Sequence, residues 1–422
     1  MKIAYVLQEG APDVRERPLT GPANHVYQVF KEFQKLGHDV KALTRWHNQI
    51  YRSADLENFE PVSVPRVDAG LFRQFERVIR GVQGRLGLPY ANWFESVRFA
   101  QACLQEFAGY DLFYERMGWM GYGVGMAARR MGVPHVAEIN NGDFITELER
   151  LGVAPEGVHR TVAMWLMRRA AHRPDHVVAS GEGHRDRFIE WWGVSPDKVS
   201  VVENGTELVE LLSREQLPCF RELSPDTAAG AAASTAVHFV FVGAFEPWHG
   251  ILKLIPAMAH VVAAVPHSHL TLIGGGTEYD HIVQLIADYQ LGAQVTLTGP
   301  LPIPQVAQQL AQADVGLAPY CGWMEFSGLK LFDYKAAGLA TVASGANGQP
   351  TTLRHKETAL IVPPCDEAAL SAAMIRLAQE PELRRRMGQA ARLEAEKYHS
   401  WQHTAEEIIA IFEKLSDRLQ IS

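Results

Sequence analysis

Residues 325–338 read EFSGLKLFDYKAAG, and the reading of this stretch decides how the rest of the chain is organised. Glu325 stands just before a helix start. Ser327 and Gly328 suit that start, because a small polar side chain or none leaves the first backbone N–H groups accessible. Leu329, Phe332, Ala336 and Ala337 then form an apolar stripe at helical spacing. Asp333 lies about one turn inside. A free helix N-terminus carries roughly +0.5 of a charge and four unpaired donors, which suits a phosphate or diphosphate. An acid on either side could then hold sugar hydroxyls. The same residues also describe a capped core helix with two solvated acids, and the stretch alone does not choose between the two.

Working outward, 422 residues exceed one ordinary core and point to two or three domains. With 47% apolar and 21% charged residues the chain reads as globular. A formal net charge of -8 argues against general nucleic-acid binding. Cys103, Cys219, Cys321 and Cys365 are scattered without a C-x-x-C pair, so reduced thiols and a cytoplasmic setting are expected. The opening MKIAYVLQEG is too short in its apolar run for a signal peptide and reads as a buried strand. Nothing approaches the ~20 apolar residues of a membrane span.

Along the chain, strand signals alternate with helical ones, which implies parallel sheets covered on both faces. In the first half the strands are expected at residues 3–7, 39–43, 111–115, 133–139, 176–180 and 198–202. Gly21-Pro22 opens a helix between the first two, with Val26, Phe30, Phe33 and Leu36 on its apolar face. Residues 71–98 combine Arg73, Arg77 and Arg80 with Phe72, Phe75, Val78 and Ile79. This is either a solvated helical face or one that meets an anionic membrane surface or a phosphorylated acceptor, with Gly81 and Gly84 shortening the helix. Gly123, Gly125 and Ala128 match G-x-G-x-x-A but fall late, where close helix packing is the better reading. Asn140-Asn141-Gly142 ends a strand, and strand ends are where such folds bind ligands, although the triplet is also good turn chemistry.

Residues 1–205 thus form a first domain and 206–236, ending in SPDTAAGAAASTA, a linker. Residues 237–400 form a second domain. Its strands, at 238–242, 269–273, 295–297, 314–318, 340–344 and 358–362, include several that end in glycine, notably at Gly243, Gly274 and Gly299. D-x-D, H-E-x-x-H, G-x-S-x-G and the P-loop pattern are absent from the sequence, and the 17 histidines form no ligand pattern.

Taken together, these residues resemble glycosyltransferase family 4. Glu325 and Asp333 stand in the register of that family's E-x7-E motif, with Asp for the second Glu. VGAFEPWHG, LTLIGGG, VTLTGPLP, ADVGLAPY and TALIVPPCDEAAL in the second half are similar too, as are TGPANHV, LFYERMGWMGYG, AEINNG and VVENGTEL in the first. The resemblance implies the GT-B fold, α/β, with two Rossmann-like domains whose parallel sheets face a central cleft. The last helix, from about Trp401, would cross back to the first domain. It also implies retaining transfer of a sugar from a nucleotide-diphosphate sugar to a hydroxyl acceptor, with no metal and no further cofactor. On this resemblance Asp333 binds the ribose hydroxyls and Glu325 a hydroxyl of the donor sugar. The N–H groups of Gly328 and Leu329 meet the diphosphate, Thr298, Gly299 and Leu301 line the base, and Gly21 approaches the phosphates from the first domain.

Two departures stand out. The family's Arg and Lys in the first loop of the donor domain are replaced by Ala244 and His249. Lys330, in the first turn of the motif helix, is the candidate to restore the charge with help from His249; Lys335 serves as its comparison. The histidine that often follows the AEI-type strand is missing, leaving Asn140 as the nearby candidate. The site expected is therefore Glu325, Lys330 and Asn140 for chemistry, with Gly21, Gly243, His249, Gly274, Thr298, Gly299, Leu301, Ser327, Gly328, Leu329 and Asp333 for the donor. A sugar-nucleotide 2-epimerase or hydrolase on the same fold and an inactive binding module remain open alternatives. Sugar, base, acceptor and oligomeric state are not written in these residues.

Overall fold

The computed structural model describes residues 1–8, 13–15, 19–47, 49–86, 92–150, 152–221, 236–321, 328–344 and 352–421. They divide into two compact units, Met1–Glu203 with Thr404–Ser422, and Asn204–His403.

In the first unit the strands are β1 (Lys2–Leu7), β2 (Asp39–Trp46), β3 (Gln49–Ser53), β4 (Glu60–Val62), β5 (Leu112–Arg116), β6 (His135–Ile139), β7 (His176–Ala179) and β8 (Val199–Val201). They form one sheet in the order β4-β3-β2-β1-β5-β6-β7-β8. The short apolar runs seen in sequence are its parallel strands, buried on both faces as crossover helices require. β3 and β4 add an antiparallel edge. The helix expected to stop near Gly81 runs on from Gly70 to Leu86. A glycine costs a helix only about 1 kcal/mol. Here Phe72 packs on the core, and Glu76 holds Arg80 and Arg98.

In the second unit β9 (His238–Val242), β10 (His269–Ile273), β11 (Val295–Gly299), β12 (Val315–Pro319), β13 (Ala340–Ser344) and β14 (Ala359–Ile361) are all parallel, in the order β11-β10-β9-β12-β13-β14. Phe239, Phe241, Leu270, Leu272, Val315 and Leu317 pack one core. Each such side chain contributes roughly 1.5–3 kcal/mol by leaving water. Residues 206–221, expected as the start of a linker, belong to this unit together with 204 and 205, expected in the first domain: Leu208, Leu212, Leu217 and Cys219 are buried in its other core. Residues 222–235 lie outside the described residues. The final helix, Trp401–Ile421, starts in the second unit, and from Thr404 it is part of the first, where Phe412 packs on Phe33 and Tyr114.

The cysteines correct the expectation of reduced thiols throughout. Cys321 and Cys365 form a disulfide, and Cys103 and Cys219 are free and buried. Spacing could not show the pair, because 44 residues separate its members. Among the described residues no helix is long and apolar enough to cross a membrane.

Candidate functional site

The strand order of the second unit reverses between β9 and β12, and in open parallel sheets the crevice outside such a reversal is where ligands bind. Here the crevice is opened by the motif helix itself. β9 and β12 pair only at Phe239–Val315 and Val240–Gly316. Beyond that, the Tyr334 hydroxyl bridges the strands, accepting from the Val242 N–H (2.9 Å) and donating to the Leu317 carbonyl (3.0 Å). Its ring lies over Gly316, where a Cβ would stand 2.6 Å from it. Burial pushes the phenol's pKa far up, so it stays a donor.

That anchor fixes the rest of the helix, Leu329–Ala336, with Gly328 at its N-cap. Four residues before Tyr334, the Lys330 ammonium lies 4.7 Å from the Tyr320 ring and 5.3 Å from the Phe241 ring. It is 3.4 Å from the Tyr320 hydroxyl. A Cβ on Gly243 would meet the Lys330 side chain at 3.0 Å. His249 joins the group, its ring 5.8 Å from Tyr320 and its Nδ1 2.6 Å from the Ala244 carbonyl oxygen. That contact directs Nδ1–H at the carbonyl.

The glycine ends are stacked side by side. Gly243 N–H donates to the Ile273 carbonyl and Gly274 N–H to the Gly299 carbonyl, each at 3.0 Å. Gly274 has φ +138°, and a Cβ there would stand 1.9 Å from the Gly243 oxygen, so only glycine fits. Thr298 and Leu301 follow on the adjacent strand end, with the Thr298 hydroxyl donating to the Gly299 carbonyl (2.8 Å). Asp333 is half-buried, and its Oδ1 accepts from the Thr206 hydroxyl at 2.6 Å. Burial raises its pKa; Thr206 opposes this, Glu207 adds to it and Lys330 opposes it, leaving the carboxyl at about 6. Sequence reasoning missed Thr206, since it lies 127 residues from its partner.

The structure therefore brings together Gly243, His249, Gly274, Thr298, Gly299, Leu301, Gly328, Leu329, Lys330 and Asp333. Glu325 and Ser327 lie outside the described residues. Lys335 is no neutral comparison for Lys330. It is fully buried and donates to Glu394 (2.6 Å) and the Thr352 carbonyl (2.7 Å), with His399 Nε2 at 2.9 Å.

Asn140 and Gly21 sit in the first unit. Gly21 is the exposed first residue of the Gly21–Lys35 helix. The Asn140 amide donates to Glu138, a buried carboxylate at the end of β6. Glu138 also accepts from the Tyr114 hydroxyl (2.6 Å) and Arg116 (3.0 Å), and lies 2.8 Å from His25 Nε2. Burial pushes this carboxyl up, but His25, Arg116 and the hydrogen bonds outweigh it and hold the group well below the usual carboxylate range. Asn141 is the turn residue, accepting from the Asp143 and Phe144 N–H groups.

Comparison with known proteins bears on the class of enzyme and the fold. Residues 20–205 match the family described as Glycosyl transferase 4-like domain, and residues 227–394 match Glycosyl transferases group 1. The chain is a glycosyltransferase with the two-domain α/β fold of GT-B enzymes. It is 24% identical to a D-inositol 3-phosphate glycosyltransferase of Stackebrandtia nassauensis, over 100% of this chain and 93% of that one. Among solved structures it resembles sucrose-phosphate synthase of Thermosynechococcus elongatus (TM-score 0.68, 21% identity, 98% of this chain and 99% of that one). It also resembles Anabaena HepE in complex with UDP (TM-score 0.68, 16% identity, 98% and 100%).

Proposed function

We propose that the protein transfers a sugar, with retention of anomeric configuration, from a nucleotide-diphosphate sugar to a hydroxyl acceptor. The observation that carries this is the convergence at the β9/β12 crevice: glycine strand ends, the N-terminus of the Leu329–Ala336 helix and the Lys330 ammonium gather positive character, with the Asp333 carboxylate a turn deeper. The diphosphate lies against Gly328, Leu329 and Lys330, with His249 beside it; Asp333 takes the ribose hydroxyls and Thr298 to Leu301 the base. Glu325 holds a hydroxyl of the donor sugar. Catalysis is then positioning plus stabilisation of the leaving diphosphate, whose oxygen helps remove the acceptor proton. No metal is required by this reading. HepE, of similar fold, was solved with UDP and with UDP-glucose, which supports a nucleotide-sugar donor. In the first unit Asn140, held by Glu138, is the remaining candidate for chemistry.

A thermal-shift screen with UDP-, GDP-, ADP- and dTDP-sugars identifies the donor. With that donor, Glu325→Ala is expected to lower turnover at least a hundredfold with the melting temperature kept. Near-normal turnover would overturn the assignment, and turnover to an epimer without acceptor would replace transfer by epimerisation.

We further propose that the enzyme works at an anionic membrane face. On the Gly70–Leu86 helix Leu71, Phe75, Val78, Val82 and Leu86 form one exposed apolar stripe, with exposed Arg77 and Arg85 on the same helix. Arg80 is committed to Glu76 and Glu95, and Arg73 to the Asp68 carbonyl. The lipid-facing role therefore passes to the apolar stripe with Arg77 and Arg85. Co-sedimentation with phosphatidylglycerol vesicles should drop at least fivefold in Phe75→Ser/Val78→Ser; undiminished binding would reject this face.

A further inference from the structure

At the N-terminal end of the first sheet's strands, where β6 begins, lies a recess of about 270 Å³ lined by Gly125, Ala128, Arg129, His135, Arg173 and Asp175. The strand ends discussed above lie at the opposite end of β6, so the recess plays no part in the proposed transfer site. Three observations mark it as built to hold an anion.

The first is Arg173. Its guanidinium is half-buried, and neither it nor the Arg129 guanidinium makes a hydrogen bond or ion pair with any described residue. Buried or half-buried cations in folded proteins are ordinarily paired. Burial, then Arg129, then Arg169 all push the pKa of Arg173 down, so the local field is one of crowded positive charge.

The second is His135, 4% exposed. Its Nε2 lies 2.7 Å from the Glu115 carboxylate, which fixes the ring, while its Nδ1 is buried and has no hydrogen-bond partner. A buried polar atom left without a partner needs an explanation. A Cβ on Gly125 would stand 3.6 Å from that nitrogen and 3.4 Å from the Arg173 side chain, so Nδ1 and Arg173 face the same space beside Gly125. The third is the carboxylate in the recess. Asp175 Oδ2 accepts the His135 backbone N–H at 2.8 Å, so it is engaged with the strand and not with either arginine. The glycines at 123 and 125 thus differ: a Cβ at Gly123 would strike the Ser96 carbonyl oxygen at 2.6 Å, whereas one at Gly125 would make only ordinary van der Waals contacts with Arg173 and His135.

We propose that this recess binds a phosphate monoester: the Arg173 and Arg129 guanidinium groups take the phosphoryl oxygens, and His135, its Nε2–H on Glu115, donates an Nδ1–H to the same group. Guanidinium forks match phosphoryl oxygens in pairs, and two of them favour a dianion over a carboxylate. The volume exceeds that of bare phosphate and leaves space for a small organic remainder.

The test uses the full chain with its donor site saturated by the nucleotide found in the thermal screen. Inorganic phosphate and glycerol 3-phosphate are titrated separately by calorimetry. Saturable binding is expected in both arms; tighter glycerol 3-phosphate identifies an ester site, and equal affinities a site for free phosphate. Arg173→Gln should weaken binding at least tenfold, Arg173→Lys should restore part of it, and the His135 ring signals should shift on titration in the wild type alone. Should Arg173→Gln melt early, Arg129→Gln, at an exposed position, carries the same expectation. Absence of saturable binding, or affinities unchanged in both glutamine variants, would overturn the proposal.

Discussion

The two sheets reverse strand order beside the first strand of each unit, β1 against β5 and β9 against β12, yet the two reversal points are furnished in opposite ways. After β1 comes Gln8, which is buried; its amide donates to the Ser96 hydroxyl (2.7 Å) and accepts the Gly123 N–H (2.6 Å). After β9 comes Gly243, and Lys330 fills the space a side chain would have used. A single position thus decides whether a buried polar side chain fills the crevice or leaves its space to Lys330. The lesson is that topology marks where ligands bind, while the inventory of satisfied polar atoms marks which crevice presents cationic groups to them.

The contrast sharpens on one helix, where two lysines five residues apart have opposite duties. Lys335→Ala removes the cation from a buried pair and should cost roughly 3–5 kcal/mol of stability, read by urea unfolding. Lys330→Ala should leave stability close to the wild type and weaken donor binding about 10–100-fold, which corresponds to roughly 1.4–2.7 kcal/mol, with exposed Lys397→Ala as the unaffected comparison. Equal donor affinity in the Lys330 and Lys397 variants would break the distinction between an open and a closed crevice.

Between these two in size stands the disulfide. Cys321 lies two residues past β12 and Cys365 four past β14, so the bridge ties the chain just after β12 to the sheet edge. Its removal in Cys321→Ser/Cys365→Ser should cost about 2–4 kcal/mol in the unfolding free energy. Cys103→Ser, at a buried free thiol in the first unit, gives the matching comparison. An unchanged unfolding free energy in the double variant would remove the tether from the account.

Much of this was legible in the sequence because it is local. The six strands of the second unit and the Leu329–Ala336 helix follow from short apolar runs and a 3.6-residue period, and Gly243 and Gly274 were readable as strand ends. What escaped depends on contacts between distant residues. β3 and β4 are short, with polar and intermediate positions, so no apolar run announces them. Residues 208–220 look like linker until the core that buries Leu208, Leu212 and Leu217 is formed. Lys335 and Lys330 are indistinguishable in composition; only Glu394, His399 and Thr352 separate their roles.

Asp333 offers the smallest effect and the finest test of the open crevice. Its carboxyl titrates at about 6 in the folded protein against an ordinary 3.8. A raised folded pKa means that the native state holds its proton between those values while the unfolded chain has lost it. The stability this contributes is complete below about pH 4 and is lost as pH rises toward and through 6. Donor binding should run the other way. Ribose hydroxyls donate best to the carboxylate, so affinity should be constant above pH 7 and fall by up to tenfold per unit below 6, with proton release on binding near pH 6. The titration should use an intact nucleotide sugar, because the terminal phosphate of a free diphosphate ionises in the same range and would counterfeit the effect. In Asp333→Asn both slopes should vanish together. A wild-type affinity that stays flat from pH 5 to 8, measured by calorimetry, would show that the carboxylate's charge is not used in holding the donor.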